Sequence, residues 1–215
     1  MAFYIRLMHQ GDIARVTEID HEAFSTQWPP TNYHYELKNS LAHYVVACEI
    51  EKIPDESKVE VALEKSRPGL ISRVRQLFNR SRPTNSETLP LNKEYIVGLA
   101  GFWIMAGEAH ITSIAVRQVF QRRGIGEQLI IFLTDLAIKL NARILTLEVR
   151  ASNIAAQKLY SKYGFTKVGL RRGYYTDNRE DAIIMSTEEI MSTSFQARFQ
   201  QLKQAHSRRW ETVHN

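Results

Sequence analysis

The chain has 215 residues, of which 44% are hydrophobic and 24% charged, so it is long enough to bury the core of one generous domain. It carries a single cysteine, Cys48, which excludes an internal disulfide and is typical of a reducing compartment. No apolar run approaches the ~18 residues of a membrane-spanning helix, and the first residues lack the pattern of a secretory signal. We therefore expect a soluble, cytoplasmic protein.

The net charge of +5 is concentrated in two segments. Residues 64–82 carry +5 and residues 191–215 carry +3, whereas the rest of the chain is slightly acidic. Basic segments attract polyanions, so these two predict a contact with the ribosome or with RNA. Within the second segment, Phe195, Phe199 and Leu202 lie at helical spacing, which indicates either a helix docked on the domain or a flexible basic arm.

The first fifty residues predict a strand, two helices and another strand. Asp12 is a candidate N-cap for the first helix, and Pro29 and Pro30 break the chain before the second. These elements span residues 3–8, 12–24, 32–39 and 43–49.

Residues 51–93 interrupt the pattern with four prolines and 15 charged residues, and we interpret them as a charged insertion, largely loop. Inside it, residues 69–80 predict a short basic amphipathic helix. That helix would either lie on its own domain or contact a membrane or RNA.

The second half predicts an alternation of strands and helices. Two strands, 95–105 and 108–116, form a hairpin around Ala106 and Gly107, and a helix with an apolar face follows to Leu140. A strand at 143–150, a helix from Asn153 to Gly164 and strands at 166–171 and 182–186 complete the pattern, with Tyr174 and Tyr175 in the last connection. This order predicts an α/β (α+β) fold: a mixed sheet of about seven strands with about four helices.

The link between the strand ending at Val116 and the next helix predicts an anion site. Gly124 and Gly126 let the backbone approach a ligand, the helix begins with unpaired amides, and Arg122 and Arg123 add charge. A dinucleotide fingerprint would need a third glycine where Leu129 stands, and a P-loop would need Gly-Lys-Ser/Thr. Both are excluded, so we expect another large anion with a phosphate arm.

Two motifs resemble a known family. The run Gln-Arg-Arg-Gly-Ile-Gly (121–126) after Ile-Ala-Val resembles the acetyl-CoA loop of the GCN5-related N-acetyltransferases, the GNAT superfamily. The segments LEVRASNIAAQKLYSKYGF (147–165) and RRGYYTDNREDAIIM (171–185) are similar to its RimI-type branch, which acetylates the N-terminal alanine of a small-subunit ribosomal protein. The resemblance implies a GNAT fold over residues 1–187, containing the insertion, with a basic tail at 188–215.

The resemblance also implies roles for individual residues. Glu148 matches the family's general base and Tyr160 its general acid. Backbone groups of one strand would bind the pantetheine arm and the thioester, the glycine-bearing link would wrap the diphosphate, and an asparagine would bond the cofactor arm. In order, the cofactor-binding residues are Ile114, Ala115 and Val116; then Arg122, Arg123, Gly124, Ile125, Gly126 and Glu127; then Asn153.

The chemistry of acyl transfer is consistent with these roles. An α-amine has a pKa of roughly 7.7–8.0, so it must lose a proton before it attacks a thioester. Glu148 lies at the predicted end of a parallel strand, where partial burial would raise its basicity and a water could relay the proton. Without the resemblance, Glu148 would be a surface residue paired with Arg150, and Tyr160 a core residue.

Trp28, Tyr174 and Tyr175 are candidate walls of the acceptor slot, with local packing as the alternative. The seven histidines show no metal-binding spacing, so we expect acetyl-CoA as co-substrate and no metal. We expect direct transfer to the N-terminal α-amine of a protein in a ternary complex. The alternatives are acetylation of a small amine or a lysine side chain and, in another class, a non-catalytic acyl-CoA- or RNA-binding adaptor.

Overall fold

The computed structural model describes residues 2–24, 31–51 and 93–214. The chain divides into one unit of residues 1–49 and 96–215 and a second unit of residues 50–95. The predicted insertion, its helix at 69–80 and the basic segment 64–82 therefore lie almost entirely outside the described residues, as does Trp28.

The described residues form seven strands and five α-helices. The strands are β1 Ala2–Leu7, β2 Ala42–Glu51, β3 Lys93–Met105, β4 Glu108–Val116, β5 Ile144–Arg150, β6 Thr166–Tyr175 and β7 Glu180–Ser186. The helices are α1 Ile13–Ala23, α2 Tyr33–Glu36, α3 Ile125–Lys139, α4 Ile154–Lys162 and α5 Thr193–His214, with 3-10 turns at Gln10–Asp12 and Gln118–Phe120. None of the described helices is long and apolar enough to cross a membrane.

The seven strands form one mixed sheet in the order β1-β2-β3-β4-β5-β7-β6. β4 runs parallel to β5, across the crossover made by α3, while β3 and β7 are antiparallel to these neighbours. The hairpin between β3 and β4 turns at Ala106 and Gly107, both with positive φ, as in a type I′ turn. The predicted mixed α/β sheet is confirmed.

Side chains alternate between two apolar clusters, as a sheet covered on both faces requires. On β2, Val45 and Ala47 join a cluster formed with α3 and α5, whereas Val46 and Cys48 join one formed with α1 and α2. α3 and α5 therefore cover one face of the sheet, and α1 and α2 cover the other.

The chain after residue 188 is a helix docked on the domain, which decides between the two predicted alternatives. Phe195 and Phe199 of α5 are 1% and 2% exposed, stack at 6.0 Å between ring centroids, and belong to the main apolar cluster.

Two local predictions differ in detail from the structure. Asp12 is the N-cap residue of α1, as predicted, but its side chain makes no capping hydrogen bond to that helix, because its carboxylate accepts hydrogen bonds from Arg6 (2.7 and 2.9 Å) and from the His9 amide (2.9 Å). Tyr174 and Tyr175 belong to β6 itself and not to the connection after it.

Gly101 allows β3 to pass under an aromatic ring. A Cβ at this position would lie 2.3 Å from Cδ1 of Tyr44. That ring is fixed, since it packs edge-on against Tyr33 at 5.4 Å and its hydroxyl lies 3.3 Å from Oγ1 of Thr112.

We expect Gly101→Ala to lower the free energy of unfolding by about 1–3 kcal/mol, because the ring of Tyr44 must move to admit the methyl group. Gly126→Ala is the control: its Cβ would meet Leu159 at an ordinary 3.7 Å, and alanine favours a helix by ~1 kcal/mol over glycine. Urea denaturation of both variants measures the difference, and equal stabilities would contradict the steric explanation.

Candidate active site

The sheet opens between β4 and β5 at their carboxyl ends. The pairing of β4 with β5 runs only from Glu108↔Ile144 to Ile111↔Leu147. Beyond it, β4 stays paired with β3 as far as Val116, and β5 stays paired with β7 as far as Arg150. The backbone edges that face each other beyond these four pairs, residues 112–116 and 148–150, define the β4–β5 opening.

A β-bulge lies where the opening begins. The β3–β4 register skips a residue between Gly101↔Ser113 and Phe102↔Ile111, so Thr112 is the extra residue on β4. Bulges bend a strand and increase its twist, which accounts for the departure of β4 from β5. Ile114, Ala115 and Val116, predicted to bind the cofactor, form the β4 side of the opening.

Residues 121–127, the glycine turn, connect β4 to α3. Arg122 and Gly124 both have positive φ (64° and 84°), and Gly124 is the N-cap of α3. The first α3 hydrogen bond joins the Gln128 amide to the Gly124 carbonyl at 3.0 Å, so the amides of residues 125–127 precede the ladder. Buried Ile125 anchors the turn.

The cationic side chains of the turn face solvent. Arg122 and Arg123 are exposed, and the guanidinium of Arg123 lies 5.0 Å from the ring centroid of Phe120. The turn thus presents amide donors at a helix N-terminus beside two cations, the arrangement that binds a phosphate group.

The side chain of Glu127 turns back into the protein. Its Oε1 accepts hydrogen bonds from the Tyr163 hydroxyl (2.6 Å), from Arg209 (2.8 Å) and from Lys162. Burial acts to raise the pKa of Glu127, but the hydrogen bonds from Lys162 and Tyr163 and the charges of Lys162 and Arg209 lower it on balance. The Glu127 side chain is thus paired within the chain, and its backbone amide is the group it offers to an anion at the turn.

Glu148 lies in the opening on β5, with its side chain 7% exposed. Its Oε2 is 3.0 Å from Nε2 of His110, and its Oε1 is 3.1 Å from the guanidinium of Arg171. The hydrogen bond from His110, with the charge of Arg171, lowers the pKa of Glu148 despite its burial. Burial acts to raise the basicity of Glu148, as expected, but these neighbours outweigh it and the net direction is the opposite.

Arg150, the ion-pair partner considered for Glu148 from the sequence, pairs with other residues. Arg150 pairs with Asp177 at 2.7 Å and with Glu180 at 3.2 Å, and its guanidinium lies 3.9 Å from the ring centroid of Tyr175. Arg171 takes the place next to Glu148.

His110 was missed by the sequence reasoning. It lies on β4 opposite Thr146 of β5, and its Nδ1 is 3.0 Å from the Thr146 hydroxyl. With Thr146 donating to Nδ1, the ring donates from Nε2 to Glu148. One signal in the sequence could have revealed His110. Thr146 and Glu148 are two polar residues on the same face of β5, and a histidine lies opposite them on the parallel neighbour β4.

Tyr174 and Tyr175 lie near Glu148, and Tyr160 of α4 lies near Tyr175. The rings of Tyr174 and Tyr175 meet edge-to-face at 5.2 Å, and Arg171 lies 5.5 Å from the ring centroid of Tyr174. Burial raises the pKa of Tyr175 to about 12, with smaller contributions from Tyr174 and Glu148. Burial, and then the neighbouring Tyr175, raise the pKa of Tyr160, so its phenol is protonated at neutral pH.

Asn153 has a structural function at the start of α4. Its side chain accepts a hydrogen bond from the Ala156 amide at 3.1 Å, which makes it the N-cap. This Oδ1 is therefore occupied within the chain, and the amide nitrogen is the part of Asn153 that remains for the predicted ligand contact.

Comparison with known proteins identifies the class. The family model for the GNAT acetyltransferase family matches residues 62–165. A Bacillus subtilis protein provisionally named ribosomal protein bS18-alanine N-acetyltransferase is 32% identical over 182 residues, covering 84% of this chain and 92% of that protein. The chain therefore belongs to the GNAT family and is an acetyltransferase.

The names of its relatives specify a narrower activity than the family name does, because they state which protein is acetylated. The Escherichia coli ribosomal protein bS18-alanine N-acetyltransferase is 47% identical over 85 residues, which cover 39% of this chain and 57% of that protein. The crystal structure of the Escherichia coli enzyme superposes with a TM-score of 0.61 at 25% identity, over 89% of this chain and 96% of that one. A solved GNAT acetyltransferase from Elizabethkingia anophelis holds acetyl-CoA; it is 18% identical, with a TM-score of 0.54 over 86% of this chain and 97% of that one.

We expect His110→Ala to raise the pKa of Glu148. The substitution removes the largest contribution that lowers it, while the burial that raises it largely remains. Carbon-detected NMR titration of the Glu148 carboxyl measures the shift. The carboxyl of Glu180, whose pKa is held at about 2 mainly by hydrogen bonds from Ser152, is the internal reference that does not move.

We also expect His110→Ala to lower the free energy of unfolding by an amount that depends on pH. A lowered folded-state pKa stabilises the fold above the unfolded-state pKa, and this contribution is lost as pH falls through the folded-state value. The deficit of His110→Ala relative to the parent is therefore expected to shrink in acid. A deficit that is constant from neutral to acid pH would contradict the coupling.

Proposed function

We propose that the protein transfers an acetyl group from acetyl-CoA to the N-terminal α-amine of a protein, with the alanine of ribosomal protein bS18 as the acceptor. The observation that carries this proposal is Glu148: a nearly buried carboxylate, kept ionised by His110 and Arg171, in an opening of the sheet that leads through Val116 to the glycine turn. The relatives named for bS18 acetylation support the choice of acceptor.

The residues present fit acetyl-CoA. Its diphosphate would lie on the amides of Gly124–Glu127 with Arg122 and Arg123 beside it. Its pantetheine arm would run along the β4 edge at Ile114–Val116, where the Val116 carbonyl already accepts a hydrogen bond from Gln121 at 3.1 Å. Ser113, next to this edge, has a buried hydroxyl oxygen without a hydrogen-bond partner among the described residues, as expected of a group that a ligand satisfies.

The bound thioester supplies an electrophilic carbonyl, and the chain's own residues do the rest. Glu148 accepts a proton from the incoming ammonium, directly or through a water. A β4 amide in the opening stabilises the oxyanion that develops as the C–N bond forms. Tyr160, which keeps its proton at neutral pH, is the donor to the sulfur as the C–S bond breaks. No acyl-enzyme is involved.

An α-amine needs less help from a general base than a lysine side chain does. An α-amine, with a pKa of roughly 7.7–8.0, is partly neutral at pH 7, whereas a lysine, at ~10.4, is almost wholly charged. This supports the N-terminal acceptor over the lysine alternative.

The predicted contact with RNA has weaker support. The segment 191–215 has four Lys and Arg residues, and three of them, Arg198, Lys203 and Arg209, form ion pairs with acidic groups of this chain. The segment 64–82 lies outside the described residues. A ribosome contact through these segments stays a prediction.

A thiol-release assay with acetyl-CoA tests the proposal. The acceptors are a peptide with the N-terminal residues of bS18, the same peptide with a blocked N-terminus and an internal lysine, and a polyamine. We expect turnover on the free N-terminus alone, with mass spectrometry placing the acetyl group on the α-nitrogen. Turnover on the blocked peptide or the polyamine would favour the alternatives, and binding without turnover the adaptor.

In the same assay we expect Glu148→Gln to lower kcat by roughly 10²–10⁴-fold, the usual contribution of a general base, while the Kd for CoA stays near that of the parent. Glu188→Gln, which breaks the exposed pair with Arg198, is the matched control and keeps parental turnover. A Glu148→Gln enzyme as fast as the parent would remove this residue from the mechanism.

A further inference from the structure

Residues at the end of α4 and on α5 contact the glycine turn through the side chain of Glu127. Glu127, 13% exposed, accepts hydrogen bonds on one oxygen from Tyr163 and Lys162 at the end of α4 and from Arg209 of α5. Nothing in the proposed chemistry uses this cluster, and no sequence motif predicted it.

α5 contacts α3 at three places. Lys203 pairs with Asp135 at 2.5 Å, buried His206 lies beside the backbone of Gly124, and Arg209 reaches Glu127. With Phe199, these residues recur every three or four positions, so they share one face of α5. The apolar end of this face fills the core, and its polar end reaches the first turn of α3.

The contact with Gly124 concerns the most constrained residue of the turn. Gly124 has a left-handed conformation at the N-cap of α3, and the direction of the following amides depends on it. His206, 6% exposed, is kept from protonation because burial lowers its pKa. A neutral ring can therefore hold this position without placing another charge behind the turn.

The contact with Glu127 concerns charge. A carboxylate in the first turn of a helix competes with an external anion for the same amides and the same positive end of the dipole. Arg209 and Lys162 pair with this carboxylate and neutralise its charge.

We propose that α5 is a positioning element for the diphosphate of CoA, with Arg209 and His206 as positioning residues that hold the glycine turn through Glu127 and Gly124. The inference rests on the proposed function, because it assumes that this turn binds the diphosphate. It assigns residues 193–209 to donor binding as well as to the core.

The test compares two arginines of α5. Arg209→Ala breaks the pair with Glu127, and Arg198→Ala breaks the pair with Glu188, which includes no residue of the turn. By calorimetry we expect Arg209→Ala to weaken CoA binding about threefold and Lys162→Ala/Arg209→Ala about tenfold, the range for part-exposed ion pairs, while Arg198→Ala binds as the parent does. In a Glu127→Gln background, Arg209→Ala is expected to have no further effect.

A donor without the diphosphate separates positioning from general destabilisation. With S-acetylpantetheine, kcat/KM of Arg209→Ala is expected to equal that of the parent, whereas with acetyl-CoA it falls. Equal losses with both donors, or CoA binding by Arg209→Ala equal to that of Arg198→Ala, would overturn the inference. A parent that binds no CoA would remove the proposed function as well, so the two failures are distinguishable.

Discussion

The early end of hydrogen bonding between β4 and β5 is the constraint on which the site depends. Four residue pairs hold the two strands together, and the bulge at Thr112 then directs β4 away while β5 continues against β7. A fully paired sheet would consume the amides of Ile114 and Val116, which point away from β3, and leave no space beside Glu148. The strands instead keep these groups at a gap lined by backbone donors on one side and a carboxylate on the other.

The environment of Glu148 shows how neighbours can outweigh burial. A nearly buried carboxylate is expected to gain proton affinity, but here one hydrogen bond and one nearby guanidinium reverse the direction. The result is a group that is ionised throughout the neutral range and suited to an ammonium that loses its proton easily. Tyr160 has the opposite property, since burial keeps its proton in place.

Much of this arrangement could be predicted from local sequence. Period-two and period-3.6 patterns located the strands and helices, and Gly124 and Gly126 marked the turn because only local backbone geometry is involved. The bulge at Thr112, the pairing of His110 with Glu148 and the direction of the Glu148 pKa depend on which strands become neighbours and in which register. The return of Arg209 to Glu127 joins residues 82 positions apart, and no local pattern encodes such a contact.

The burial of Phe195 and Phe199 also has a consequence for the order in which the molecule forms during synthesis. Domains fold as units as the chain emerges, and here the part of the main apolar cluster that Phe195 and Phe199 fill is not covered until residues 195–199 have left the exit tunnel. Until then the nascent chain exposes an apolar surface of the kind that chaperones bind. The docking of α5 thus ends the period in which the nascent protein is prone to aggregate through this surface.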